Sequence, residues 1–233
     1  MRWALGAMAI VLLSIGVAGF ARQKQFDSVA WTVCGKHRAP CVKGVAENGA
    51  PWALSYIAAR DELFFMGGMG KSFDVVVASA LRRFPQTKRL VVSGSPGGSV
   101  KGVVGAARRL NRHAVAVRIE GDCASACALL WALVDARQAL PVGRIGLHAG
   151  RADSETPAWL RGTAASRNRT RFEAALRTAG FQPEIIARGL ATPHDRIFWI
   201  DAPGMRRIGV RFDWIEPSAL SRPGSIPPPA PRS

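Results

Sequence analysis

The chain has 233 residues, 48% hydrophobic and 21% charged, which suits one ordinary domain with extensions and excludes a disordered chain. Its formal net charge of +16 raises nucleic acid or an anionic membrane as partners. The positive residues are scattered, mostly Arg, and not interleaved with aromatics as on a base-stacking surface, so no nucleic-acid partner is expected and the charge reads as solvated helix faces.

In chain order, Trp3 to Phe20 carries no charge and follows Arg2. That stretch is long for the apolar part of a signal peptide and just enough for a tilted membrane span. Residues 1–21 are therefore read as a signal anchor or a signal peptide cleaved near Ala21, with the retained anchor preferred. Arg2 ahead of the span marks an export signal, although Arg22 and Lys24 behind it oppose translocation under the positive-inside rule. The expectation is a single-pass membrane protein with its domain outside the cytoplasm, in the periplasm. Four cysteines fit that compartment. Cys34 and Cys41 bracket a turn-rich loop that a disulfide would close; a zinc site using His37 needs further ligands at suitable spacing and finds none, so no metal is expected.

Residues 22–60, rich in breakers, are read as an irregular lead-in, and residues 61–216 as the domain. Leu63-Phe64-Phe65-Met66 predicts a strand. Gly70-Lys71-Ser72 suggests a phosphate loop, but that pattern needs Gly five positions earlier, where Phe65 stands, and the reading is rejected. A helix is predicted from Ser72 to Phe84, a strand at Leu90, and a helix from Ser99 with Val100, Val103, Val104, Ala107 and Leu110 on one face. The run Ala114 to Ile119 predicts another strand, followed by a helix from about Cys123 to Val134. This alternation argues an α/β fold with a mostly parallel sheet. A third short run ends in Ile145-Gly146-Leu147-His148. Later come helices around Phe172–Ala179 and from Pro183 to Gly189, a strand at Ile197–Ile200, a short helix at Ala202–Ile208 and a last strand at Val210–Ile215. Residues 217–233, rich in proline and serine, are read as a disordered tail.

Three of these segments carry chemistry. At Ser125 the chain leaves a strand and enters a helix between Ala124 and Ala126. Small neighbours admit a substrate carbonyl, and the helix start offers free N–H groups to an oxyanion. A serine in a small-residue helix start is, taken alone, more often structural. Ser95-Pro96-Gly97-Gly98, however, makes a turn whose backbone can pass close to a ligand, so Gly97 and Gly98 join Ala126 as candidate oxyanion donors. His148 lies 23 positions after Ser125, at the end of its own strand, in range to act as general base. His113 and His37 read as surface residues, and His194 has no comparable setting. Cys123 and Cys127 would share one face of a regular helix. A bridge there would distort the oxyanion donors, so the expectation is two reduced, packed thiols.

The run from Met66 to His148 resembles the proteolytic subunit of the Clp protease and its relatives in the ClpP/crotonase superfamily. The likeness rests on an apolar strand into Ser-Pro-Gly-Gly, a second strand into Gly-x-x-Ala-Ser, and a histidine just over twenty residues later. It implies a spiral of ββα units, with Ser125 as nucleophile, His148 as base, and Gly98 with Ala126 as oxyanion donors. The Cys-Ala-Ser-Ala-Cys form and the apolar leader resemble the extracytoplasmic members. The family's catalytic Asp falls on Ala191; Asp195 is the nearest substitute and Asp201 the next. The function so implied is a membrane-anchored serine peptidase that cleaves peptide or protein substrates through an acyl-enzyme, without a cofactor, in a chain that could form homo-oligomers. The rival readings are an inactive interaction module and, further off, an acyl-CoA enzyme of the crotonase side.

Overall fold

The structure, a computed structural model, describes residues 29–35, 38–151 and 157–220. The expected membrane segment in 1–21 lies outside the described residues, as do His37 and residues 221–233 of the disordered tail expected over 217–233; its first four residues are corrected to a helical turn, Pro217–Leu220. No helix among the described residues is long and apolar enough to cross a membrane.

Ten strands build one mixed, mostly parallel sheet, and with the helices that link them they make an α/β fold. The first three strands, β1 (Thr32–Cys34), β2 (Ala39–Val45) and β3 (Pro51–Ile57), run antiparallel in sequence, and β3 continues antiparallel into β4 (Glu62–Gly67). The irregular lead-in expected over 22–60 is thereby corrected: its described part belongs to the same sheet as the domain. The breakers misled because each has a permitted place. Pro51 opens its strand, Pro40 lies one residue ahead of the β2–β3 ladder, which begins at Cys41, and the missing side chain of Gly44 leaves room for the Trp52 ring. A disulfide between Cys34 and Cys41 ties β1 to β2.

From β4 the ladder turns parallel through β5 (Arg89–Ser95), β6 (Ala116–Ala124), β7 (Arg137–Ala139) and β10 (Asp213–Trp214). The crossovers are α1 (Phe73–Arg83) and α2 (Val100–Arg112), followed by α3 (Ala126–Leu133). Ser99 caps α2 by accepting from the Gly102 N–H at 3.4 Å. Val103, Ala106, Ala107 and Leu110 are buried along that helix while Arg108 and Arg112 face water, as the 3.6-residue period requires. Helix α3 is buried from Ala126 through Ala132, so it has no polar face at all. Leu90, Val92, Val117 and Ile119 from the sheet meet Val77, Leu81, Leu110, Leu129 and Trp131 from the helices in one core.

Two departures shape the site. Strand β6 runs through Ala124 rather than ending with the apolar run at Ile119, because Asp122, Cys123 and Ala124 are paired with neighbouring strands. Its first half pairs with β7 at Val117–Ile119, and its second half exchanges that neighbour for β8 (Arg144–Leu147). The register also slips where β4 meets β5 and where β5 meets β6. Such bulges bend strands and re-aim the residues downstream. Beyond β8 come α4 (Arg161–Ala179), α5 (Pro183–Ala191), β9 (Phe198–Asp201), which is antiparallel to β8, then α6 (Ala202–Arg207) and α7 (Pro217–Leu220). The strand expected from Val210 shrinks to β10, since the N–H groups of Val210 and Arg211 go to Met205 and Ala179 instead of a ladder.

An ion cluster lies on the sheet face opposite α1–α3. Arg118, fully buried, donates to both carboxylate oxygens of Glu62 at 2.9 and 3.1 Å and from Nε to Glu120 at 2.8 Å. Arg89 adds a bond to Glu62 at 2.8 Å. Burial works to raise the Glu62 carboxyl, but the hydrogen bonds and charges of Arg118 and Arg89 outweigh it and hold it below the usual glutamate range. Replacing Arg118 with Ala leaves Glu62 with Arg89 as its remaining cationic partner and should cost about 1–3 kcal/mol, read as a lower urea midpoint at unchanged slope. A depressed folded pKa gives stability that is present above the unfolded value, about 4.3, and lost as pH falls through the lower folded one. The acid limb of the wild-type stability curve should therefore flatten in Arg118→Ala.

Candidate active site

Ser125 stands at the junction of β6 and α3. Its N–H closes the ladder by donating to Gly146 O of β8 at 2.8 Å, and its carbonyl starts the helix by accepting from Leu129 N at 3.1 Å. Between those two duties the backbone adopts φ 55° and ψ −123°. This is the first central position of a type II′ turn, where glycine is preferred. A serine held there costs of order 1–3 kcal/mol and persists only where its surroundings over-determine it, which is characteristic of functional sites. The same sharp strand-to-helix turn presents the nucleophile in unrelated serine hydrolases.

The surroundings do over-determine it. The segment after β5 packs directly on the junction: a Cβ on Gly97 would lie 2.8 Å from Ser125 Cβ, 2.7 Å from Ala126 N and 2.5 Å from Ala124 O. Gly97 (φ 90°) and Gly98 (φ 144°) both take conformations that L side chains avoid. Ser95 sets the turn, donating from Oγ to Gly67 O at 2.7 Å and accepting from Gly97 N at 3.2 Å. Met69 N donates to Gly97 O at 2.8 Å, and Ser99 N returns a bond to Met69 O at 2.7 Å. With Gly97 N committed to Ser95, the N–H groups of Gly98 and Ala126 have no partner among the described residues. Unengaged backbone donors at the serine's own helix start and on the glycine segment packed against it are groups an oxyanion hole can use.

His148 directly follows β8. Because Ala124 is the register partner of Gly146 and Ser125 N reaches Gly146 O, Ser125 and His148 leave neighbouring strand ends. The half-buried imidazole has Nδ1 2.8 Å from Ala149 O. A carbonyl only accepts, so this contact favours the proton on Nδ1 and leaves the Nε2 lone pair free, the tautomer a general base needs. No hydrogen bond joins Ser125 and His148 among the described residues; in unliganded sites such bonds are often formed only with substrate present.

Asp195 makes no hydrogen bond with the histidine among the described residues. It is exposed in the turn that Arg196 N closes on Pro193 O at 2.9 Å, and it makes no hydrogen bond or ion pair among the described residues. Asp201 caps α6, accepting from Gly204 N at 2.7 Å. The segment beside Ala191 does approach, since Ala149 N donates to Thr192 O at 2.7 Å. So Ala149 O stands at Nδ1, where a triad places a carboxylate.

Cys123 and Cys127 are joined by a disulfide, which corrects the expectation of two thiols. Cys123 is the last residue but one of β6 rather than the start of a helix, and the turn at Ser125 brings the first turn of α3 back over it, with a Cα separation of 5.1 Å. Sequence reasoning also passed over Asp122 and Arg144, register partners on β6 and β8. They form a two-point ion pair, one contact at 2.9 Å, and Arg144 lies 4.4 Å from the Trp199 ring. The hydrogen bond from Arg144 is the main cause holding the Asp122 carboxyl below its usual range. Both side chains are half exposed, so the pair serves register more than stability.

If the Ser125 backbone is strained for a purpose, removing the side chain should release the strain. Ser125→Gly should gain about 1 kcal/mol in urea unfolding. Gly97→Ala, forced into the same junction, should lose more than that, whereas Gly150→Ala, with open space around it, should change little.

Compared with known proteins, the chain matches no family model and no curated protein.

Proposed function

We propose that the chain is a membrane-anchored, extracytoplasmic serine hydrolase of the ClpP/crotonase type, cleaving peptide bonds through an acyl-enzyme on Ser125. The observation that carries this reading is the strained Ser125 backbone pressed against Gly97, with the N–H groups of the next residue on each of these segments, Ala126 and Gly98, unengaged. In this reading, Ser125 Oγ attacks the substrate carbonyl as His148 Nε2 takes its proton, and the two N–H groups receive the oxyanion. His148 then returns the proton to the leaving amine, and water repeats the sequence on the ester. Ala149 O orients the imidazole, so the site is a Ser–His dyad with neither Asp195 nor Asp201 as its acid. The spiral of ββα units belongs to the same proposal and is supported by the parallel run β4–β5–β6 with α1 and α2 as crossovers. Two disulfides support an oxidising compartment, and the charge-free Trp3 to Phe20 supports the anchor.

A second reading, a catalytically silent interaction module, draws on the missing carboxylate at His148, since losing the orienting acid costs orders of magnitude in rate. Fluorophosphonate labelling of the full chain separates the two. Labelling should appear on Ser125, vanish in Ser125→Ala and fall at least tenfold in His148→Ala, while Asp195→Ala stays within twofold of wild type. Equal labelling of wild type and Ser125→Ala would leave the silent module as the reading.

A further inference from the structure

Ser125 stands midway along a covalent ring. The Cys123–Cys127 disulfide links β6 to the second residue of α3 and encloses Ala124, Ser125 and Ala126, that is, the nucleophile and one oxyanion donor. We propose that this bridge is a positioning element that makes the site competent only after the chain has been oxidised; the inference rests on the hydrolase reading above.

Three observations carry it. A ring of separation four restricts very little of an unfolded chain, so the bridge does least for global stability and most for the local backbone it encloses. That backbone is the one described stretch where a left-handed serine separates a strand from a buried helix, a conformation that relaxes unless held. Both cysteines are fully buried, with Gly97 stacked over the ring, so dissolved thiols have no path to the sulfurs once the chain is folded. The restraint is therefore set once, during folding, and is not a reversible sensor. In forming it, the two thiols pass two protons and two electrons to a disulfide oxidant, whose S–S bond breaks to give two thiols while the Sγ–Sγ bond closes. Cys34–Cys41 differs in kind. It ties the hairpin at the far end of the strand order and touches no part of the site.

The test uses the full chain carrying Cys34→Ala and Cys41→Ala, so that a single disulfide remains. It is refolded once with oxidised glutathione and once with a dithiol present throughout, and both samples are labelled with a fluorophosphonate and melted. The expected result is a cooperative melt in both, with labelling at least tenfold slower in the reduced sample and recovered after unfolding and oxidative refolding. Cys123→Ala/Cys127→Ala should match the reduced sample and should not recover. Equal labelling rates in the two samples overturn the proposal. Loss of the cooperative melt on reduction also overturns it, because the bridge is then a general stabiliser. No labelling in the oxidised sample removes the hydrolase reading and this inference with it.

Discussion

One residue in a left-handed conformation sits where the central strand becomes a buried helix, and the architecture around it can be understood as what keeps it there. A strand-to-helix turn with positive φ at a non-glycine residue is unstable by itself. Here the N–H of Ser125 is committed to β8, its carbonyl to α3, and its flank to Gly97. Two of these restraints, β8 and Gly97, are remote in sequence. They come from β8, two strands on from β6, and from the segment between β5 and α2, so the turn exists only when the sheet has assembled.

Strand β6 is accordingly pinned along its length. Arg118 ties it to β4 through Glu62, and Asp122 ties it to Arg144 on β8. Cys123 then ties it to the helix. The exchange of β7 for β8 as its neighbour is what frees the strand end to meet a second strand end, and with it a histidine. Without that exchange, β7 would occupy the edge from which His148 emerges.

The parallel core was legible in the sequence because its strands are β-branched runs and its helices keep the 3.6-residue period. Helix α2 and strand β5 stand where that pattern put them. The first three strands were not legible, since Pro40, Gly44 and Pro51 carry the signature of loops and their roles depend on partners across the sheet, such as the Trp52 ring. The end of β6 failed for a related reason: Glu120 to Ala124 have no strand propensity, and their ladder is imposed by β5 and β8. That single boundary also decided the cysteines. Four positions apart on a helix they would merely neighbour each other, whereas across a strand-to-helix turn they meet. Ser125, His148 and the two glycines were legible as residue types at strand ends. The carbonyl at His148 Nδ1 was not, because a backbone group leaves no mark in a sequence.

The two ends of the strand order are short strands. Strand β1 has three residues and β10 has two, and β1 is clamped to its neighbour by Cys34–Cys41. An open parallel sheet ordinarily leaves long rows of unsatisfied N–H and C=O groups that recruit another chain. At β1 and β10 another chain finds only a turn's length to pair with; β9, joined to the sheet through β8 alone, is a third margin four residues long. Growth of the sheet by a further strand is thus discouraged at β1 and β10, and the margin left for it among the described residues is β9.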